Sequence, residues 1–216
     1  MAICGKQFGK GLGGVRRCCV REVGHPNRCS DMPFLVHFKN KKVKPKVAGK
    51  IERDSFKTRG ASWGKAEDGT QKRRNRQPRW TLAAGDAFYP AHHQSYKKCL
   101  KVAAELTIQA YEMAGAPVCP QEVAKYLPRR PIANSALCPI CKVLLEFSEF
   151  DLAVQSKAAI DTDHLNPRVK RRHAPGNVAF VHHLCNTTKG DRSLEEFEQW
   201  MADTLSRHGY RVTKNP

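Results

Sequence analysis

Acidic side chains are scarce in this chain of 216 residues: 20 Asp and Glu stand against 38 Lys and Arg, a formal net charge of +18. The excess is spread along most of the length rather than confined to a tail. It points to a polyanionic partner, with nucleic acid the first candidate. Aromatic residues are also few, at 8 %, and apolar residues reach only 40 %. That is lean for one large core and fits small modules propped by a metal ion better. No apolar run approaches the roughly 20 residues that span a bilayer. The opening Met1-Ala-Ile-Cys-Gly-Lys6 lacks the apolar stretch of a secretory signal. The expectation is therefore a cytosolic protein, of a cell or of a virus that infects it. In that setting nine cysteines read as metal ligands and free thiols rather than disulfides.

What is present is concentrated between Cys138 and Asp191. The stretch begins Cys138-Pro-Ile-Cys141 and passes through Asp161-Thr-Asp163-His164. It then reaches Gly176-Asn177, and ends in His182-His183-Leu-Cys185-Asn186. Cys138/Cys141 and His182/Cys185 each have two residues between their members. That gap lets one tight turn aim both donors at a single tetrahedral zinc ion. His183 would leave only one residue before Cys185, so His182 is the better ligand. Beside these pairs stand an acid, a histidine and two asparagines, the groups a nuclease needs. Displacement at a phosphodiester builds charge on the phosphorus and leaving oxygens, and a hard cation held by oxygen ligands neutralises it. Asp163 offers a carboxylate and Asn186 an amide carbonyl. Two protein ligands leave positions open for water and phosphate, as Mg²⁺ requires. Neighbouring strand residues point to opposite faces, so a twist or bulge is expected to turn Asp163 and His164 toward one substrate.

These residues resemble the HNH nucleases, the zinc-stapled branch of the ββα-metal fold, over roughly residues 131–192. The resemblance rests on the Cys138/Cys141 knuckle, the Asp163-His164 pair and Asn177. It is completed by the His182-x-x-Cys185-Asn186 end, which runs on to Lys189-Gly190. Two positions depart from the family: His182 stands where many members carry cysteine, and Asn186 where many carry histidine. Both replacements are neutral donors able to ligate a metal. The resemblance implies that His164 takes a proton from the attacking water, as an imidazole of near-neutral pKa can. It also implies that Asn177 steadies the loop and so orients His164.

Residues 1–30 are dense in glycine, cysteine and arginine. A second zinc could use Cys4, Cys18, His25 and Cys29, with Cys19 able to replace Cys18; the other reading is a flexible basic arm with unliganded thiols. Pro33 to Phe38 reads as a short strand. A dense basic run follows from Lys39 to Lys46, and Lys50 to Arg79 reads as loops or extended arms that order on DNA, with Trp63 and Trp80 nearby. A stripe at Leu100, Ala103, Leu106, Ala110 and Met113 predicts a helix over 96–114, stopped by Gly115 and Pro117. A second short helix is expected from Pro120 to Leu127. Cys99 and Cys119 read as packing residues, and His92-His93 as a surface pair.

Within the last third, Ala158–His164 and Asn177–Val181 are the expected strands, and the short helix is expected to start at Cys185. The loop between the strands carries Arg168, Lys170, Arg171, Arg172 and His173, a set suited to gripping a phosphate backbone. Ser193 and Glu196 form a capping box for a last helix, whose apolar side is Leu194, Phe197, Trp200, Met201 and Leu205.

The sequence thus predicts an α+β protein. Residues 1–32 would be a zinc-binding or basic N-terminal module, 33–130 a DNA-contacting region with a helical pair, and 131–216 a ββα-metal nuclease module. The expected activity is Mg²⁺- or Mn²⁺-dependent DNA cleavage, restriction-type or homing-type, by a dimer if both strands are cut. A phage nicking or packaging-associated nuclease is the near alternative. A zinc-ribbon DNA-binding protein without catalysis is the alternative from another class; a merely basic or ribosome-associated protein explains the charge but not Asp163 and His164.

Overall fold

The computed structural model describes residues 32–40, 43–56, 94–153 and 156–213, together with the backbone of the strand pairs 7–8 with 17–18 and 63–65 with 71–73. Cys4, His25, Cys29, Trp80, His92 and His93 lie outside the described residues. Of Cys18 and Trp63 only the backbone is described. Cys18 lies in β2 (Arg17–Cys18), paired antiparallel with β1 (Gln7–Phe8), and Trp63 opens β3 (Trp63–Lys65), paired antiparallel with β4 (Gln71–Arg73).

The first departure from the sequence reading is at Pro33. The run to Phe38 is not a strand but a 3-10 turn, Pro33–Leu35, leading into α1 (Val36–Lys39). Proline's fixed φ suits a helix start, and the apolar residues bury at helical spacing: Phe34, Leu35 and Phe38 are all in the core. A short apolar run does not by itself distinguish strand from helix. The second departure is α2 (Pro45–Phe56), which occupies the start of the segment expected to be extended arms. Its basic residues are one face of an amphipathic helix; Val47, Ala48, Ile51, Ser55 and Phe56 are its buried residues.

The long stripe folds as expected into α3 (Tyr96–Glu112), and Gly115 follows in the left-handed conformation, φ 70°. The short helix is α4 (Gln121–Ala124), continued by turns to Leu127. Phe38 stacks on Tyr111 with ring centroids 4.4 Å apart, and an aromatic chain runs on through Phe147 and Phe150 to Phe180. Such contacts add to the gain from burying each ring. They make one buried cluster from Met32 to Phe197, continuous across residue 130.

That core carries a two-stranded antiparallel hairpin, β5 (Ile160–His164) with β6 (Val178–His182), in unbroken register from Ile160 opposite His182 to His164 opposite Val178. The hairpin is backed by α3. Gln109 donates from Nε2 to the Phe180 carbonyl at 2.9 Å and accepts from the Phe180 N–H at 2.8 Å. The side chain thus supplies the two bonds that a third strand would give at this edge. Glu105, one turn earlier on α3, accepts from the Gly176 N–H at 2.9 Å, and Gly176 has φ 76°. α5 (His183–Lys189) follows β6 directly, starting two residues earlier than the sequence suggested.

α6 (Leu194–Arg207) carries the capping box as read, with the Ser193 hydroxyl accepting from the Glu196 N–H and the Glu196 carboxylate from the Ser193 N–H. Its apolar side is only half used. Leu194, Phe197 and Met201 pack on the core, while Trp200 and Leu205 remain exposed. Among the described residues no helix is long and apolar enough to cross a membrane.

Candidate metal centre and catalytic edge

A tight turn forms the first half of the cysteine cluster. Cys138 donates its N–H to the Val143 carbonyl at 2.8 Å and accepts from the Lys142 N–H at 2.9 Å. Lys142 takes a left-handed φ of 60° to close it. The C-terminal end of α3 anchors this turn. The Glu112 carboxylate accepts two bonds from Arg129 and one from the Ile132 N–H, and its carbonyl accepts from Ser135 and Ala136. The second half comes from the junction of β6 and α5, where His182 ends the strand and Cys185 lies in the first helical turn.

The structure brings the donor atoms of Cys138, Cys141, His182 and Cys185 within 4.8 Å of one another. Donors around a tetrahedral zinc ion stand about 3.5–4 Å apart, and three sulfurs with one imidazole suit that ion. Burial, and then the neighbouring Cys138 and Cys141 sulfurs, push the Cys185 thiol well above its ordinary range. Crowded thiols ionise together when a cation sits among them, which a structural zinc ion supplies. His182 is also oriented from behind. Its Nδ1 is 3.3 Å from the Cys141 sulfur, while Nε2 is 3.5 Å from the Glu149 carboxylate. A carboxylate on the far nitrogen fixes which nitrogen is left for a metal. Glu149 went unnoticed in the sequence because the 3-10 turn that carries it, Phe147–Asp151, has no periodic signal.

β5 divides its polar side chains between two faces, as alternation requires. Asp163 and His164 leave the strand in different directions. The Asp163 carboxylate is 3.2 Å from the ammonium of Lys189 on α5. Lys189 is fully buried and also donates to the carbonyls of Gly190 and Arg192. His164 turns the other way, with its Nε2 3.4 Å from Nδ1 of His173. The regular register shows no bulge bringing the two together.

Asn186 reaches Asp161, not Asp163: its Nδ2 donates to Asp161 Oδ2 at 3.0 Å. His183 donates from Nδ1 to the same oxygen at 2.8 Å, and Lys50 of α2 stands 3.8 Å from the other. Burial pushes the Asp161 carboxyl up, but the bonds from His183 and Asn186 and the charge of Lys50 outweigh it. Its pKa therefore lies below the ordinary 3.8. An ionised carboxylate only accepts. It must therefore face the Asn186 amino group, which turns the amide oxygen Oδ1 the other way, where it could ligate a hard cation. Asp161 and Asp163 lie on one face of β5 by strand alternation. Both meet side chains of α5, Asp161 those of His183 and Asn186 and Asp163 that of Lys189. Carboxylate and amide oxygens are the donor type that Mg²⁺ takes. Asp54 of α2 closes the network by accepting from the Thr162 hydroxyl at 2.7 Å.

Asn177 ties both ends of the loop after His164. Its Oδ1 accepts from the Asn166 N–H at 2.7 Å, and its Nδ2 donates to the carbonyls of Asn166 at 2.9 Å and Arg172 at 2.6 Å. In the same loop Arg168, Lys170 and Arg171 are exposed. His173, read from the sequence as part of that basic surface, is instead buried. The functional neighbours that sequence reasoning missed are Asp161, His183, Lys189, Lys50 and His173. Strand alternation would have found Asp161, since it shares a face with Asp163; the other four depend on tertiary contacts.

Fold and site together define a mixed α+β protein in which a Cys₃His cluster able to hold a metal ion lies at the junction of a hairpin and helix, beside an edge of carboxylate, imidazole and amide groups. Known proteins of restriction-endonuclease type are similar to it. Residues 90–185 match the model of a family described as DraIII, a span that holds all four cluster residues and the Asp161–His164 strand. The chain is also similar to a crystal structure of a type II restriction endonuclease, with 28 % identity and a TM-score of 0.71, covering 97 % of this chain and 99 % of that one. No curated protein matches the sequence.

Proposed function

We propose that this protein is a sequence-recognising, metal-dependent DNA endonuclease of the HNH type. The observation that carries the reading is the likeness, along nearly the whole of both chains, to a type II restriction endonuclease. The strand pair and helix β5–β6–α5 carry the groups that phosphodiester hydrolysis needs. His164 leaves the strand on the other side from Asp163, but it is the last residue of β5. We assign it as the general base for a phosphate that would lie across the strand's end, where it takes a proton from the attacking water. Asp163 and Asn186 would hold Mg²⁺ or Mn²⁺, with Asp161 turning the Asn186 oxygen toward the ion; when bound, such an ion neutralises charge on the phosphate. Asn177 holds the loop that follows His164. Arg168, Lys170 and Arg171 grip the phosphate backbone by charge. Cys138, Cys141, His182 and Cys185 bind a structural zinc ion that keeps hairpin and helix in place. A homodimer supplies the two cuts of a double-strand break.

The test is incubation of genomic DNA with the protein and Mg²⁺, followed by sequencing of the ends. A common sequence at the ends, lost in EDTA, is the expected result. Random ends would remove the sequence-recognising part of the reading, and binding without cleavage would leave a DNA-binding module.

A further inference from the structure

The loop between β5 and β6 contributes a side chain that this mechanism leaves unused. His173 is 1 % exposed and His164 is 4 % exposed. Their rings meet edge to face with centroids 5.6 Å apart. Nε2 of His173 lies 2.9 Å from the carbonyl oxygen of Ser55, and its Nδ1 lies 3.4 Å from Nε2 of His164.

Ser55 is the penultimate residue of α2. Its carbonyl is one of the last four of the helix, which have no partner within the helix and sit at the negative end of its dipole. A carbonyl oxygen only accepts, so His173 carries its hydrogen on Nε2. With His173 neutral, its Nδ1 holds the lone pair and accepts, and Nε2 of His164 donates to it. That assigns the hydrogen of His164 to Nε2 and its lone pair to Nδ1. Which nitrogen of a histidine is basic is set by the bond the other one makes.

We propose that His173 is a positioning residue: anchored on the α2 terminus, it locks His164 in the tautomer whose Nδ1 takes the proton from the attacking water. The proposal rests on the reading of His164 as the base. It also couples α2, which belongs to the N-terminal half of the chain, to the catalytic strand. Cleavage thus depends on how α2 docks on the hairpin.

The test uses the full chain labelled with ¹⁵N-histidine. Two-bond ¹⁵N–¹H correlation spectra of the wild type should show His164 and His173 both with hydrogen on Nε2. In His173→Leu the anchor is gone, and kcat for plasmid cleavage in Mg²⁺ should fall about 10²-fold, within what a general base contributes, with KM changed less than about twofold. His173→Gln should restore kcat to within about tenfold of wild type, because its amide can donate to Ser55 and accept from His164 at once. Hydrogen on Nδ1 of His164 in the wild type, an unchanged kcat in His173→Leu, or a Gln variant as slow as Leu would each overturn the proposal. If His173→Leu does not fold, the wild-type spectrum and the Gln variant still decide. The expected tautomer in a wild type that cleaves no DNA would remove the base reading, and the lock's catalytic meaning with it. The other tautomer in an enzyme that cleaves would remove the lock alone.

Discussion

Asp161 shows how much one side chain can gather. Two donors and an ammonium converge on its carboxylate from α5 and α2, so it holds Asn186 without being the residue that a nuclease motif picks out. Asp161→Asn should therefore leave DNA binding intact and raise the Mg²⁺ needed for half-maximal cleavage by about tenfold or more, the usual cost of losing a group that orients a ligand; a Mg²⁺ titration measures it. The same residue gives an acid-side signature. Burial raises its pKa, but its hydrogen bonds and Lys50 lower it further, so the folded value lies below the ordinary 3.8. Its contribution to stability is then complete above that ordinary value and is lost as pH falls through the lower, folded one. Urea unfolding across this acid range should show a shallower loss of stability in Asp161→Asn than in wild type. At this scale the sequence was readable where chemistry is local, in the paired cysteine and histidine spacings. It was not readable where a partner comes from a distant element, as Lys50, Glu149 and His173 do.

At the scale of elements, α3 is the frame against which the rest is hung. Glu105, Gln109 and Glu112 lie on successive turns of one side and hold, in order, the hairpin loop, the edge of β6 and the approach to the cysteine turn. Gln109→Leu leaves the Phe180 N–H and carbonyl without these partners and should cost about 1–3 kcal/mol, read from chemical denaturation. The Ser193→Ala change in the α6 capping box should cost about 1 kcal/mol by the same measurement. Both α3 and the capping box were legible, one from its apolar stripe and the other from a four-residue pattern. α1 and α2 were not. Pro33–Phe38 is too short for periodicity to separate strand from helix, and α2 hides its five buried positions among lysines, a glycine and acids, so that composition spoke louder than spacing. Pro45, at the first position of α2, was the signal that could have found it.

For the whole molecule, a continuous core lies beside a Cys₃His cluster that, with zinc bound, would add to what holds a lightly apolar chain together. If the cluster binds zinc, Cys138→Ser should lower zinc content by one ion per chain. It should also lose cooperative unfolding of the C-terminal region, because binding free energy of this kind is folding free energy. Metal analysis of the wild type then also settles the residues before Met32: one ion per chain assigns them none, and two would support Cys4, Cys18, His25 and Cys29. The measurement closest to the central claim is single-turnover cleavage of a plasmid by wild type and His164→Ala, compared at equal DNA occupancy in Mg²⁺. The account predicts discrete fragments from the wild type and a rate about 10²-fold lower or worse in the variant, with DNA binding unchanged. Equal rates for the two proteins, or a wild type that binds DNA and leaves it whole, would contradict it.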